Sequence, residues 1–120
     1  MTLDVKKWTE ERPWGRYLNL IDEPHFKVKF IEVDPKQRLS YQAHQYRRES
    51  WTVVKGEAAV VLNDKEINLK VGDQIDIPIG SKHRLINPSQ FVLHLIEVQT
   101  GKKCDEADIE RFADDYGRLR

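Results

Sequence analysis

The chain has a single cysteine, no surplus of either charge, and no apolar run near the length of a membrane span. Each shortage excludes something. Cys104 alone cannot form an internal disulfide. A bilayer-crossing helix needs about 20 predominantly apolar residues, and no stretch of the chain offers them. The opening MTLDVKKWTEERPWG lacks the apolar centre of a secretory signal. Twenty basic residues balance twenty acidic ones, so there is no basic footprint for nucleic acid or for an anionic membrane surface. No repeat, low-complexity tract or linker divides the 120 residues, which suffice for one domain with one core. The composition predicts a cytoplasmic protein without nucleic-acid or membrane partners.

What is present is a series of short apolar stretches between turn signals. The stretches are 16–22, 26–33, 38–44, 51–55, 58–62, 66–69, 74–77, 83–86 and 91–99. Glu23-Pro24, Asp34-Pro35, Lys55-Gly56, Asn63-Asp64, Gly72-Asp73, Pro78-Ile79-Gly80 and Asn87-Pro88 punctuate them. Strands of this length at this spacing predict an all-β fold, a single antiparallel barrel of jelly-roll type. Residues 1–15 read as an N-terminal arm, 16–99 as the barrel, and 104–116 as a short C-terminal helix. In that helix Asp105 would be the N-cap, acidic residues would fill the first turn, and Ile109 and Phe112 would face the barrel.

The stretch 26–33 alternates with apolar residues on both faces. Phe26, Val28 and Phe30 share one face; Lys27, Lys29, Ile31 and Val33 share the other. One lysine points inward, or it snorkels at the rim. Trp8 and Trp14 lie in polar surroundings. Trp14 can cap the core, or the two tryptophans and the two-sided strand can mark an interface, which predicts a homodimer. Arg12, next to the rigid Pro13-Trp14-Gly15 turn, is placed to line a pocket mouth and bind an anion.

Two stretches carry polar residues at fixed spacing. In the first, Gln42 and His44 are two apart and share a strand face. After a polar break, Glu49 can rejoin that face, and Gly56 closes the stretch. In the second, Gly72, Pro78, Gly80, His83 and Asn87 describe a turn, a strand, a tight turn, and a histidine delivered inward. An amide, two imidazoles and a carboxylate converging inside a small barrel make a divalent-metal site of Gln42, His44, Glu49 and His83. The structural alternative is that these side chains only hydrogen-bond one another. His25 and His94 sit in no such pattern and read as structural.

These two stretches resemble the paired motifs of the cupin superfamily. The second matches throughout. The first matches at His44, Glu49 and Gly56, with Gln42 where cupins usually place a first histidine and Lys36 where many have glycine. A narrower resemblance follows the chain from Arg12 to Arg118: Arg12-Pro-Trp-Gly15, Gln37-Arg-Leu-Ser40, Gln42-x-His44-x-x-Arg47-x-Glu49-x-Trp51, Pro78-x-Gly80-x-x-His83-Arg84, Asn87-Pro88, Ile96-Glu97-Val98-Gln99 and Asp108-Ile-x-Arg111-Phe, then Tyr116-Gly-Arg118. This series resembles the type II phosphomannose isomerase domain, which in many bacteria is fused to a guanylyltransferase and here would stand alone. Ser50 departs from it, since a histidine commonly precedes the tryptophan.

The resemblance implies a metal-dependent aldose–ketose isomerase that interconverts mannose 6-phosphate and fructose 6-phosphate. Zinc, manganese, cobalt, nickel or iron would serve as the divalent ion. Glu49, Glu97 and Lys29 are the candidate proton carriers. Arg12, Arg38, Arg47 and Arg84 are the candidates for holding the phosphate, because a guanidinium matches its oxygens bidentately. Two alternatives stay open: a sugar-phosphate-binding module without catalysis, and a metal-binding cupin with other chemistry, such as an oxygenase or a sugar-nucleotide-modifying enzyme.

Overall fold

Strand alternation organises the molecule. In the computed structural model, which describes residues 7–119, eleven strands run in chain order. They are β1 (Glu10–Arg12), β2 (Gly15–Asp22), β3 (Phe26–Val33), β4 (Tyr41–Ala43), β5 (Arg47–Lys55), β6 (Ala58–Leu62), β7 (Lys65–Leu69), β8 (Gln74–Ile77), β9 (His83–Ile86), β10 (Leu93–Gly101) and β11 (Glu110–Ala113). All ladders are antiparallel. One sheet has the order β1-β2-β3-β10-β5-β8, the other β11-β4-β9-β6-β7. The sheets face each other as a jelly roll, but no ladder joins their edges among the described residues. The expected all-β architecture is therefore present as an open-edged sandwich.

The register of β3, β10 and β5 decides what points inward. Residues directly opposite one another in neighbouring strands share a face. One inward row is Tyr17, Ile31, Leu95 and Val53, all buried. Two residues along, the row becomes Lys29, Glu97 and Trp51; two further, Lys27, Gln99, Glu49 and Ile77. The core thus changes character along the strands, from wholly apolar to polar. Both Lys27 and Lys29 are inward, at 4% and 5% exposure. Neither snorkels at the rim. Gly56 does not turn a hairpin: it carries the chain from β5 in the larger sheet to β6 in the smaller one, at φ +88°, a conformation that side chains with a Cβ resist. Asn87 is a corner post rather than a ligand. Its amide donates to the carbonyls of Val33, Asp34 and Phe91, and its oxygen accepts from Ser89.

Three expectations need correction. Residues 104–116 form no helix; there is none among the described residues. Asp105 does cap, but its carboxylate accepts from the Ala107 amide in a turn, and the chain then extends as β11 against β4. Ile109 to Phe112 offers alternation rather than a helical stripe, and β4 presents an open edge that such a segment pairs with. The arm is not a separate element either. Residues 1–6 lie outside those described, while Glu10–Arg12 pairs with β2. Finally, Trp14 is part of the core and Trp8 stacks on Phe30 with centroids 5.8 Å apart. The blander reading of Trp14 holds, and the two rings do not supply an exposed interface.

Candidate metal centre and active site

The polar end of the core gathers the chemistry-bearing residues. β4 and β9 are paired with Gln42 opposite His83, and β11 sets Arg111 opposite Gln42. Arg111, Gln42 and His83 therefore form one row across the smaller sheet. From the larger sheet, β5 and β10 send in Glu49, Trp51 and Glu97. Gly101 lets β10 close tightly on the start of β5. A Cβ there would stand 2.1 Å from the Tyr46 carbonyl oxygen, so an alanine would displace the segment that delivers Arg47.

Among the described residues, one cluster of histidine and carboxylate groups has metal-ligand spacing: His44, Glu49 and His83, with ligand atoms within 4.8 Å of one another. The imidazole tautomers follow from their partners. His44 Nδ1 is 2.7 Å from the Asp108 carbonyl, and His83 Nδ1 is 3.0 Å from the Ser81 carbonyl. A carbonyl only accepts, so each Nδ1 carries the hydrogen and each Nε2 presents its lone pair. Those Nε2 atoms lie 3.2 Å and 3.9 Å from the two Glu49 carboxylate oxygens. Lone pairs turned on one another repel unless a cation or a proton stands among them. Atoms that bind one ion at about 2 Å are themselves about 3–4 Å apart, so the donor set fits a borderline divalent ion. Carbonyl-anchored imidazoles are also the usual outer support of such a site. The Gln42 amide nitrogen is turned to Ser40, 3.2 Å from its hydroxyl, and Gln42 lines the same cavity as the cluster.

Electrostatics sort the carboxylates. Burial pushes Glu49 up, but the neighbouring His44, Arg47 and His83 outweigh it and hold the carboxyl well below its usual range. Glu97 goes the other way. Burial and then the Glu49 charge push it up to about 8, so it stands protonated at neutral pH. The Trp51 indole N–H donates to both, 3.0 Å to Glu49 Oε1 and 3.0 Å to Glu97 Oε1. Gln99 donates to the other Glu97 oxygen at 2.7 Å. Burial lowers His83 despite the Glu49 charge, which favours the neutral, ligating imidazole.

The sequence matches the family described as mannose-6-phosphate isomerase, C-terminal, over residues 4–114. The chain belongs to the mannose-6-phosphate isomerase C-terminal family. Alginate biosynthesis protein AlgA of Pseudomonas aeruginosa is 48% identical over 107 residues, covering 89% of this chain and 22% of AlgA. Mannose-1-phosphate guanylyltransferase ManC of Salmonella typhimurium is 43% identical over 108 residues, covering 90% of this chain and 22% of ManC. The chain thus spans about a fifth of these relatives. Among solved structures, KdgF from Halomonas superposes with TM-score 0.75 at 17% identity, covering 84% of this chain and 90% of KdgF. A sugar phosphate isomerase of the cupin superfamily from Silicibacter pomeroyi gives 0.69 at 19% identity, covering 88% and 80%. At these identities the likeness is one of fold, and the fold is the cupin fold.

In this member of the mannose-6-phosphate isomerase family, the four arginines anticipated at a phosphate site separate. Arg12 and Arg47 line the cavity in front of His44 and Glu97. Arg38 and Arg84 do not. Arg38 pairs with Asp115 at 2.7 Å, and Arg84 donates to the Leu39 and Ala113 carbonyls, tying down the chain beyond β11. Arg84 directly follows His83 on β9, so alternation sends it to the opposite face, while Arg38 precedes β4 in an isolated bridge to Ile86. Arg47 is committed to positioning. Its guanidinium donates to Glu49 at 2.9 Å and to the Asp105 carbonyl at 2.9 Å, and approaches His44 Nε2 at 3.3 Å. Lys29 is engaged by Glu106 and covered by the Tyr17 ring, so it is not an isolated base. His25 and His94 have structural partners, the Lys102 carbonyl and Glu32.

Sequence reasoning missed Asp108, Glu106, Arg111 and Arg118 as site residues. Asp108 holds His44 through its carbonyl and the Gln45 and Tyr46 amides through its carboxylate, both at 2.9 Å. Arg111 and Arg118 line the cavity. The helix expected over 104–116 hid Glu106, Asp108 and Arg111. The alternation of Ile109, Glu110, Arg111 and Phe112 was the signal that could have found Arg111.

Proposed function

We propose that this chain is a metal-dependent aldose–ketose isomerase acting on mannose 6-phosphate and fructose 6-phosphate. One observation carries the reading: a metal-ligand cluster and a carboxyl with a value of about 8 share the Trp51 indole hydrogen at one wall of a cation-lined cavity. A divalent ion on His44, Glu49 and His83, with Gln42 as fourth donor, would supply Lewis acidity toward the substrate's carbonyl and hydroxyl oxygens. Glu49 is then a ligand and not the base. Glu97 is the proton carrier. Its carboxylate form takes the proton from C2 of the aldose and returns it to C1, while the C2 hydroxyl proton moves to the C1 oxygen, which gives the ketose with every atom accounted for. A value near the working pH keeps both forms of Glu97 available. Arg12, Arg111 and Arg118 surround the cavity's cationic mouth and suit a phosphate. As partner we propose a second copy. The larger sheet leaves Ile21, Phe26 and Val98 exposed on its outer face, and light scattering at tens of micromolar should give a dimer mass.

A coupled assay of mannose 6-phosphate to fructose 6-phosphate with added Zn²⁺, Mn²⁺ or Co²⁺ tests the reaction. Turnover should appear with at least one ion and fall by about 10²–10⁴ in Glu97→Gln. No turnover with any ion, in protein that binds the sugar phosphate, would replace this reading with that of a binding module.

A further inference from the structure

Two lysines point into the core, and neither touches the metal cluster. Lys29 sits mid-ladder on β3, opposite Asn19 on one side and Glu97 on the other. Its ammonium is held by both oxygens of Glu106, Oε2 at 2.8 Å, and lies 4.0 Å from the centre of the Tyr17 ring. Lys27 Nζ is 3.9 Å from the same Glu106 and 3.4 Å from Asp22. Glu106 belongs to no strand. It sits on the turn between β10 and β11, and its side chain is 40% exposed where that of Lys29 is 7%. Glu106, Lys29, Tyr17 and Arg12 line one cavity, the one that holds His44 and Glu97. A buried ammonium needs an anionic or dipolar partner. Here a strand fixes the cation and a turn lends the anion.

We propose that Lys29 is an anion-binding residue of this cavity, that Glu106 occupies its ammonium in the absence of ligand, and that an incoming phosphoryl group displaces Glu106. The class of ligand rests on the sugar-phosphate reading given above; the exchange itself rests on the geometry of Lys29 and Glu106. Glu106 acts as a built-in competitor, so the affinity for the anion is reduced by the fraction of chains in which the pair is closed. The same turn carries the Asp105 and Asp108 carbonyls that hold Arg47 and His44. Exchange at Lys29 is therefore felt at the metal-ligand cluster, and phosphate arrival and site geometry are linked through one short segment.

The test uses inorganic phosphate and chain freed of metal, with calorimetry as the readout. Glu106→Gln should bind phosphate about tenfold more tightly than the unmodified chain, and Lys29→Met/Glu106→Gln should lose that gain. Equal or weaker binding by Glu106→Gln overturns the proposal, as does a gain that survives without Lys29. In the unmodified chain, saturating phosphate should speed amide exchange over residues 104–109, where Cys104 and Asp108 N–H groups are now bonded to Pro24 and Asp105 carbonyls. Unchanged exchange counts against it even if a variant fails to fold. A chain that behaves so yet never isomerises mannose 6-phosphate refutes the reaction and leaves this inference standing. Turnover without a Glu106→Gln effect does the reverse.

Discussion

The two ends of the β3–β10–β5 ladder are built by the same strands and differ in everything else. At one end Tyr17, Ile31, Leu95 and Val53 fill the space between the sheets. At the other, Lys27, Gln99 and Glu49 face His44 and His83 across the same gap. The apolar end gains from burial, at roughly 25 cal/mol per Å² of apolar surface. The polar end buries charge, which costs several kcal/mol per ion unless each is paired. It is paired: Glu49 with Arg47, Lys29 with Glu106, Glu97 as the neutral acid. The comparison teaches that stability and chemistry occupy separate registers of one ladder, two residues apart. They should be separable by mutation.

The largest separation should come from His44→Ala/His83→Ala. We expect metal binding and turnover to disappear while the circular dichroism spectrum stays that of a β protein, because the apolar rows are untouched. Unfolding of the double variant would show that the two ends are not independent. Next in size is Glu97→Gln, isosteric and neutral like the protonated acid it replaces. Turnover should fall by about 10²–10⁴, with metal stoichiometry unchanged by elemental analysis. The apolar counterpart is Leu95→Ala. It empties a fully buried position and should cost about 2–5 kcal/mol in a denaturant titration, yet leave metal stoichiometry intact.

The smallest effect belongs to the ladder's outer face and serves as a control for both ends. Burial pushes Glu32 up, but hydrogen bonds from His94 and Arg16 outweigh it and hold the carboxyl below its usual range. A carboxyl held low in the folded state stabilises the fold above its unfolded value, and that contribution is lost as pH falls through the folded value. Glu32→Gln should therefore lower stability by under about 1 kcal/mol at neutral pH. The difference from the unmodified chain should close as pH drops below about 4. A difference that persists undiminished in acid would mean that the pair acts by packing and not by charge.

Much of this arrangement was legible in the residues because β-strands report their own faces. Gln42 and His44 two apart, the break before Glu49, and the turn that precedes His83 anticipate that these four side chains line one cavity. Glu97 was legible for the same reason, as it alternates with Leu95 and Gln99. What could not be read was anything set by strand pairing over long separations. Arg38 and Arg84 flank the motifs in sequence, but register puts them against Asp115 and the Ala113 carbonyl. The tail looked helical because Asp105 and the acidic residues after it satisfy local capping rules. The unpaired edge of β4 outweighed that preference, as tertiary context commonly does for weak local signals. Whether the inward Lys29 meets an anion depended on Glu106, a residue 77 positions beyond it, and no local pattern carries that information. Lys36 is the converse case. It stands where many cupins have glycine, and it adopts a glycine-like φ of 64°, so the turn survives the substitution.

In the proposed isomerase the polar end is a metal centre on which turnover depends. The most direct measurement is elemental analysis paired with the isomerase assay on one preparation, first stripped by exhaustive chelation and then titrated with Zn²⁺, Mn²⁺ or Co²⁺. The stripped chain should show no activity, and activity should rise in proportion to occupancy and level off at about one ion per chain. Full isomerase activity in the stripped chain, or stoichiometric metal retained by His44→Ala/His83→Ala, would contradict it.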